Sequence, residues 1–193
     1  MTDARDVVPF LYEAGHLKRS ARQGWWIAGV KNPESVAEHS FRAAIVGYVI
    51  AVMEGANPER TATLCLFHDL PETRVGDIPS TGKRYLTQAG AEQITKDQTA
   101  QMPPQLAERI QHVIAEFEGK ATLEARCAKD ADKLECLLQA REYVGQGNQQ
   151  AQPWIDTMVD AVSTESGKAL AAAALEISPD AWWYEIVASY GRK

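Results

Sequence analysis

The stretch Leu64-Cys-Leu-Phe-His-Asp-Leu-Pro-Glu72 ends a strongly apolar helical pattern on a histidine and an acid. Burying an isolated carboxylate is unfavourable unless a cation or hydrogen bonds compensate its charge. Pro71 disfavours plain continuation of the helix beyond this pair. The stretch therefore predicts a helix whose end carries polar side chains into apolar surroundings.

Apolar residues recur at helical spacing on both sides of this stretch, and no alternating strand pattern is convincing. Ser35 and Glu38 form a capping box, and His39 lies on the apolar face of the helix that the box begins. Asn57 followed by Pro58 marks the next helix start. Further helices are expected at about 11–22, 104–118 and 122–143, with shorter ones afterwards, and loops at 23–25 and 73–90. The pattern predicts an all-α protein, a compact helical bundle.

Composition and charge narrow the classes of function. The chain has 193 residues, 45% of them hydrophobic, which suffices for one core. Its formal net charge of −6 gives no basic field for a nucleic-acid polymer, so a phosphate-bearing substrate must meet a local site. We expect no membrane partner, because the apolar stretches fall short of spanning length and the N-terminus lacks a signal-peptide layout. Three cysteines without paired spacing (Cys65, Cys127 and Cys136) are expected as buried free thiols, which predicts a cytoplasmic protein.

Two histidines and two aspartates are difficult to explain as ordinary core or surface residues. His39 occupies the first turn of an apolar helix face. His68 and Asp69 end another helix, and Asp132 lies in the middle of a third. Any one of them alone is more often a core residue with a satisfied hydrogen bond. Together, two imidazoles and two carboxylates make a suitable ligand set for one divalent ion such as Mn, Co, Fe or Zn.

Three ordered segments resemble the motifs of the HD superfamily, and more narrowly those of its small 5′-deoxynucleotidases and their short relatives. The segments are Val36-Ala-Glu-His-Ser40, Phe67-His-Asp-Leu-Pro-Glu72 and Lys129-Asp-Ala-Asp-Lys-Leu-Glu135. The resemblance implies a single HD domain over 1–193. Its motif-bearing core is expected at about 17–143, and C-terminal helices at 150–193 are expected to complete the bundle.

The resemblance also implies the chemistry. One divalent transition-metal ion is expected to be held by His39, His68, Asp69 and Asp132. The expected substrates are nucleoside 5′-monophosphates, especially 2′-deoxyribonucleotides, which are hydrolysed to nucleoside and phosphate. Asp130 is the neighbouring acid that competes with Asp132, but two residues along a helix place it on the opposite side. A single ion is favoured, because dinuclear relatives need further histidines and only His112 is available in the right interval.

Glu72 and Asp77 are the candidate catalytic residues beside the metal ligands. Glu72 lies one helical turn from His68, and by resemblance it acts in proton transfer. The alternative is that Glu72 only orients His68 or Asp69. Asp77 matches by resemblance a substrate-contacting aspartate near the sugar, or else it caps backbone amides in its turn.

Arg22, Trp25 and Lys83 are the candidate substrate-binding residues, together with Asp77. A guanidinium can grip a phosphate by two parallel bonds, which suits Arg22. By resemblance the Trp25 indole crowds the 2′ carbon of the sugar and disfavours a ribose hydroxyl. Trp26 as the contacting ring, and simple core packing, remain as alternatives. The segment around Lys83 does not fit a phosphate-binding loop. A looser role is expected instead, in which Lys83 or Arg84 steers the anionic substrate.

Three rival functions are weighed against this hypothesis. A guanosine tetraphosphate hydrolase of the same superfamily resembles a pattern with an acidic pair after the histidine and aspartate, whereas Thr73 follows Glu72 here. A dinuclear iron oxygenase lacks the histidines that it needs. A non-catalytic nucleotide-binding regulatory module is disfavoured by the presence of Glu72.

Aromatic residues concentrate after the motif region, at Trp154, Trp182, Trp183 and Tyr184. Two alternatives would explain these residues: core packing, or a dimer interface, where aromatic side chains are enriched. Because similar proteins form homodimers, we expect a homodimer.

Overall fold

The structure, a computed structural model, describes residues 3–87 and 89–190. Within these residues it contains helices and turns but no strand, apart from one isolated bridge between Ala21 and Ser35. The predicted all-α class is confirmed.

Twelve α-helices and three short 3-10 helices make up the described part of the chain. The first six α-helices are α1 (Val8–Ala14), α2 (Gly24–Ile27), α3 (Val36–Glu54), α4 (Pro58–Phe67), α5 (Glu72–Val75) and α6 (Ser80–Lys83). The second six are α7 (Ala91–Gln98), α8 (Pro104–Gly119), α9 (Leu123–Gly145), α10 (Gln152–Ala161), α11 (Glu165–Glu176) and α12 (Ala181–Tyr190). The 3-10 helices are Ala4–Asp6, Gly15–Lys18 and Gln149–Ala151.

The starts of α3 and α4 are fixed by side-chain caps, as predicted. At α3 the Ser35 backbone amide donates to Glu38 Oε2 at 2.6 Å, and Ser35 Oγ accepts from the Glu38 amide at 3.2 Å. At α4 the Asn57 side-chain oxygen accepts from the Arg60 amide at 2.8 Å. These caps set where each helix begins, and therefore which way its first and last side chains point.

Several local expectations are wrong. The opening helix lies earlier than expected, at α1, because Pro9 suits a first helical turn, and the chain then tightens into a 3-10 helix. Gly24 and Trp25 of the expected loop at 23–25 belong to the short helix α2, and the expected loop at 73–90 contains α6 and most of α5. The helix α7 was not expected at all. Helices this short gain little from intrinsic propensity and depend on tertiary packing.

Three helices approach one another closely at Gly47 of α3. An added Cβ there would lie 2.6 Å from Cys65 Sγ and 3.2 Å from Thr61 Cγ2 on α4, and 3.4 Å from the Ala131 side chain on α9. Because glycine has no side chain at this position, α3, α4 and α9 can approach closely and form the centre of the core. On the other side of α9 lie α10 and α11.

The composition of α3 corrects another expectation. By length and composition alone, α3 is apolar enough to cross a membrane. Ala43 and Ile50 on its inner face are fully buried in the core, while Ile45 and Val52 on its outer face are exposed. Apolar residues on two faces therefore explain the composition of this core helix.

The predicted single domain over 1–193 stays a prediction, and residues 1–2, 88 and 191–193 lie outside the described residues. The three cysteines are free and buried, as expected. The cytoplasmic location that we inferred from them also stays a prediction.

We expect Gly47→Ala to destabilise the fold by about 1–3 kcal/mol, because the new methyl group overpacks the contact between α3 and α4. Gly145→Ala in α9 is the matched control, since nothing lies within 4 Å of its added Cβ. The control gains up to about 1 kcal/mol from helix propensity. Urea unfolding of both variants measures the difference. A Gly47→Ala protein as stable as wild type would contradict the close approach.

Candidate metal centre and substrate cavity

Four side chains from three distant helices converge on one point. They come from the first turn of α3 (His39), the turn after α4 (His68 and Asp69) and the middle of α9 (Asp132). His39 Nε2 lies 3.2 Å from Asp132 Oδ1, and His68 Nε2 lies 3.1 Å from Asp69 Oδ1. Across the cluster, His39 Nε2 is 3.7 Å from Asp69 Oδ2, and His68 Nε2 is 3.8 Å from Asp132 Oδ1. The structure thus brings together all of the predicted metal ligands.

The orientation of His68 is set by the end of its own helix. Its Nδ1 donates to the Cys65 carbonyl at 2.6 Å, and its ring packs against Phe117 with the centroids 4.8 Å apart. The Nδ1–H tautomer leaves Nε2 as the lone-pair nitrogen, and it faces the cluster. Local backbone geometry therefore positions one imidazole.

The orientation of His39 depends on a carboxylate that sequence analysis did not assign. His39 Nδ1 hydrogen-bonds to Oε2 of the fully buried Glu135, and Glu135 Oε1 accepts from Arg42 Nε at 2.9 Å. Arg42 is anchored in turn by Glu142 at 2.6 Å and Gln139 at 2.8 Å. A carboxylate on the far nitrogen of a ligating histidine fixes its tautomer and increases its basicity. The spacing of three residues after Asp132 is the signal in the sequence that could have found Glu135.

Several polar atoms at the cluster are buried without a hydrogen-bond partner. Among the described residues these atoms include Nε2 of His39, Nε2 of His68, Oδ2 of Asp69 and Oε2 of Glu72. Buried polar atoms are nearly always satisfied, so such a concentration needs an explanation. Two inward-facing imidazole nitrogens beside carboxylate oxygens fit a divalent transition-metal ion.

The electrostatics of the cluster also call for a cation. Burial and Arg22 oppose protonation of His39, but the carboxylates of Asp132 and Glu135 outweigh them and raise the pKa of the imidazole to about 10. Burial disfavours the ionised form of Asp132, but His39 and Lys133 hold the pKa of this carboxyl well below its usual range. The carboxylates of the cluster therefore stay ionised, and a divalent cation can balance their negative charge better than a proton can.

The competing acid and the other histidines lie elsewhere, as expected. Asp130 points to the opposite side of α9, where its carboxylate accepts from the Ser163 amide at 2.9 Å and the Thr164 amide at 2.6 Å. These bonds tie α11 to α9. His16 and His112 are exposed.

A cavity of about 420 Å³ opens over the cluster. All of the predicted catalytic and substrate-binding residues line it, together with two of the metal-ligand candidates: Arg22, Trp25, Asp69, Glu72, Asp77, Lys83 and Asp132. Trp26 is absent from this lining, and it is 54% exposed. Of the two tryptophans, Trp25 is therefore the one on the cavity wall.

Two of these residues combine a structural contact with their place on the cavity wall. Trp25 is 2% exposed, and its indole N–H donates to Glu34 Oε1 at 2.9 Å. Asp77 Oδ2 accepts from the Gln23 amide at 2.5 Å. Trp25 therefore packs in the core, and Asp77 caps a backbone amide of a distant segment instead of its own turn. Both residues also lie on the cavity wall, and their contact with a substrate stays a prediction.

Glu72 reaches the cavity from α5 without joining the cluster of four. Burial, together with the nearby carboxylates of Asp69 and Asp77, raises the pKa of Glu72 to about 9. Its Oε2 has no hydrogen-bond partner among the described residues, and so it is free to meet a ligand.

The position of α5 is held from outside the cavity by Glu13 of α1. Glu13 Oε1 accepts from Thr73 Oγ1 at 2.9 Å and from Arg74 Nε at 2.7 Å. Gln98 of α7 donates to the same oxygen at 2.9 Å and to the Leu70 carbonyl at 3.0 Å. These contacts join α1 and α7 to the turn between His68 and Glu72, and they connect residues too far apart in sequence to be predicted.

The far wall of the cavity comes from α10, which sequence analysis did not assign to the site. Pro153, Trp154, Thr157 and Met158 line it. Trp154 also packs against Trp25, with ring centroids 5.7 Å apart. One side of the cavity is therefore charged, and this side is largely apolar.

Comparison with known proteins gives consistent results. A sequence profile described as HD domain matches residues 14–174. The human protein named 5′-deoxynucleotidase HDDC2 is 35% identical over 146 residues, which cover 72% of this chain and 69% of the human protein. The protein named 5′-deoxynucleotidase hdd1 from Schizosaccharomyces pombe is 33% identical over 143 residues, which cover 71% of this chain and 72% of the yeast protein. A solved structure of a conserved hypothetical protein from Pyrococcus furiosus superposes with a TM-score of 0.74 at 27% identity, and covers 88% of this chain and 99% of that one.

We expect Glu135→Gln to weaken binding of Co²⁺ or Mn²⁺ by about 10–100-fold, because the uncharged amide no longer supports the His39 imidazole. Glu142→Gln is the matched control, since it removes another carboxylate partner of Arg42 that does not contact His39. Titration of metal-free protein with Co²⁺, followed by absorbance, measures both affinities. Equal affinities in the two variants would show that His39 does not depend on Glu135.

Proposed function

The chain belongs to the HD-domain family, and from this premise we propose that it is a metal-dependent phosphohydrolase of nucleoside 5′-monophosphates, above all of 2′-deoxyribonucleotides. One observation carries the proposal: two imidazoles and two carboxylates converge beneath a cavity lined by Arg22 and Glu72. The relatives named 5′-deoxynucleotidase support the substrate class. The ion that we propose is a single Mn, Co, Fe or Zn ion.

Phosphate binding falls to the cluster and to Arg22. His39, His68, Asp69 and Asp132 would hold a divalent ion, which would supply positive charge to the phosphate and make water more acidic. Arg22 Nη1 lies 3.6 Å from Asp69 Oδ2, so the guanidinium is placed beside the cluster and on the cavity wall. There it can donate two parallel hydrogen bonds to the phosphate group.

Proton transfer falls to Glu72. In hydrolysis a water oxygen forms a bond to phosphorus, the bond from phosphorus to the sugar oxygen breaks, and a proton must reach that oxygen. Burial favours the protonated form of the Glu72 carboxyl, and its Oε2 faces the cavity region without a partner. A carboxyl group in this state can hold the proton and then donate it to the 5′-oxygen.

Discrimination of the sugar falls to Trp25. Its indole is held by Glu34 and packs edge-on against Tyr143, with ring centroids 5.1 Å apart. A ring fixed on several sides cannot move to admit an additional hydroxyl group without disturbing the core. This rigidity supports a preference for deoxyribose over ribose.

The rival functions gain less support. The relatives named 5′-deoxynucleotidase support the deoxynucleotidase hypothesis rather than hydrolysis of guanosine tetraphosphate. The place of Glu72 on the cavity wall speaks against a module that only binds nucleotide.

We expect Glu72→Gln to lower phosphate release from 2′-deoxynucleoside 5′-monophosphates by about 10²–10⁴-fold, while the protein still binds Mn²⁺ or Co²⁺. Asp132→Asn is expected to lose both metal and activity, and Glu118→Gln on the exposed end of α8 is expected to change neither. Phosphate release and metal content are measured for each variant. The proposed function is wrong if metal-loaded wild-type protein releases no phosphate from any nucleoside monophosphate. The role of Glu72 is wrong if its variant turns over normally.

We also propose that the protein forms a homodimer through an apolar surface that we call the α3–α12 face. It consists of exposed side chains on the outer side of α3 and on α12: Phe41, Ile45, Tyr48, Val49, Val52, Met53, Trp182, Trp183, Tyr184, Ile186, Val187 and Tyr190. A cavity of about 450 Å³ connects the two helices, since Ile45, Val49 and Trp182 all line it. Monomeric proteins seldom expose apolar patches above a few hundred Å².

A second copy of the chain suits this face better than an unrelated partner. The face is rich in aromatic side chains, and these are enriched where proteins associate. The side chains that define the face are apolar or aromatic, so two copies of it can pack against each other, as a two-fold symmetric interface requires.

We expect Val52→Glu to convert the dimer into a monomer, because it places a charge on the α3–α12 face. Leu11→Glu on α1 is the control, since Leu11 is 60% exposed and lies outside the face. Size-exclusion chromatography with light scattering should give about twice the chain mass of 21.2 kDa for wild type and control. A monomeric wild type overturns the proposal, and its binding to phospholipid vesicles would assign the face to a membrane.

A further inference from the structure

Lys133 lies at the proposed metal centre but has no part in the function described so far. Its Nζ is 2.7 Å from Asp132 Oδ2, and its side chain lines the cavity. The Lys133 side chain is 38% exposed, whereas that of Asp132 is 15% exposed. The ammonium group therefore extends from the buried carboxylate toward the open part of the cavity.

The charges of the cavity favour a second cationic side chain at the phosphate, beside Arg22. Arg22 approaches the Asp69 side of the cluster, and Lys133 approaches the Asp132 side. A monoester phosphate carries up to two negative charges on three free oxygens, so it can accept hydrogen bonds from a further cationic side chain beside Arg22 and the divalent ion. The chain as a whole has a net charge of −6, so attraction must come from cations at the site itself.

Lys133 is also better positioned than the other lysine of the cavity. Lys83 is exposed at the end of α6, a helix of four residues. Lys133 lies in the middle of α9, a helix of 23 residues that packs against α3, α4 and α10. Groups on rigid, packed elements hold a ligand geometry more accurately than groups on short mobile ones.

We propose that Lys133 is a phosphate-binding residue, whose ammonium moves its hydrogen bond from Asp132 Oδ2 to a phosphate oxygen when Asp132 holds the divalent ion. The step breaks no covalent bond and transfers no proton. It rests on the proposed function, because it names a further substrate contact at the same site. The alternative is that Lys133 only neutralises Asp132, in which case its loss alters metal binding rather than phosphate binding.

The test compares Lys133→Met and Lys133→Arg with wild type and with Lys129→Met. Lys129 lies one turn earlier on α9 and is paired with Glu118 at 2.9 Å, outside the cavity lining. Metal content is measured first. Calorimetry then gives the affinity of the Co²⁺-loaded proteins for inorganic phosphate, and turnover of a 2′-deoxynucleoside 5′-monophosphate gives kcat/KM.

We expect Lys133→Met to retain its metal but to bind phosphate about 10–100-fold more weakly, as the loss of a hydrogen bond to a charged group predicts. Its kcat/KM should fall at least as far. Lys133→Arg should restore most of the phosphate affinity, and Lys129→Met should match wild type. Unchanged phosphate affinity in metal-loaded Lys133→Met overturns the inference, and so does loss of metal from this variant. If wild type binds phosphate but hydrolyses no nucleotide, the proposed function fails while the phosphate affinities still decide the role of Lys133.

Discussion

Ionised carboxylates lie beside two buried imidazoles, and the surrounding helices must compensate their charge. Asp69 and Asp132 lie in the cluster itself, and Glu135 lies directly behind His39. Removing such charges from water is strongly unfavourable unless they are paired. Arg22 and Arg42 pair with them from outside, but both imidazole Nε2 atoms face inward without a donor. The fold thus concentrates negative charge around one point and leaves room for a cation there.

Close packing of the helices makes this concentration of negative charge possible. It is needed because the charged groups come from helices that are far apart in sequence. Gly47 allows α3, α4 and α9 to approach closely, and the caps at Ser35 and Asn57 set where α3 and α4 begin. From those two starts, His39 falls in the first turn of α3, and His68 falls where α4 ends. Local signals fix the helices, and close packing of their middles brings their polar ends together.

The difference between local signals and long-range packing explains how much could be predicted from the sequence. Caps and apolar spacing are local, so α3, α4, α8 and α9 were expected within a few residues of their bounds. The four ligand candidates were found because polar residues on apolar faces contradict the pattern around them. Glu135 and Arg42 were missed because each looks like an ordinary charged residue until the partner helix is in place. The wall contributed by α10 was missed for the same reason, since Trp154 and Met158 read equally well as core residues.

The α3–α12 face and the metal centre are not independent, because α3 takes part in both. Arg42 supports Glu135, and through it His39, yet Arg42 also lines the cavity that connects α3 with α12. Its side chain is 29% exposed, so water weakens its ion pairs. A partner on the α3–α12 face would exclude part of that water, and ion pairs strengthen as the local dielectric constant falls. Association of two chains through this face, as proposed, would therefore be coupled to the orientation of His39 through one guanidinium, although α12 lies beyond the residues that match the family profile.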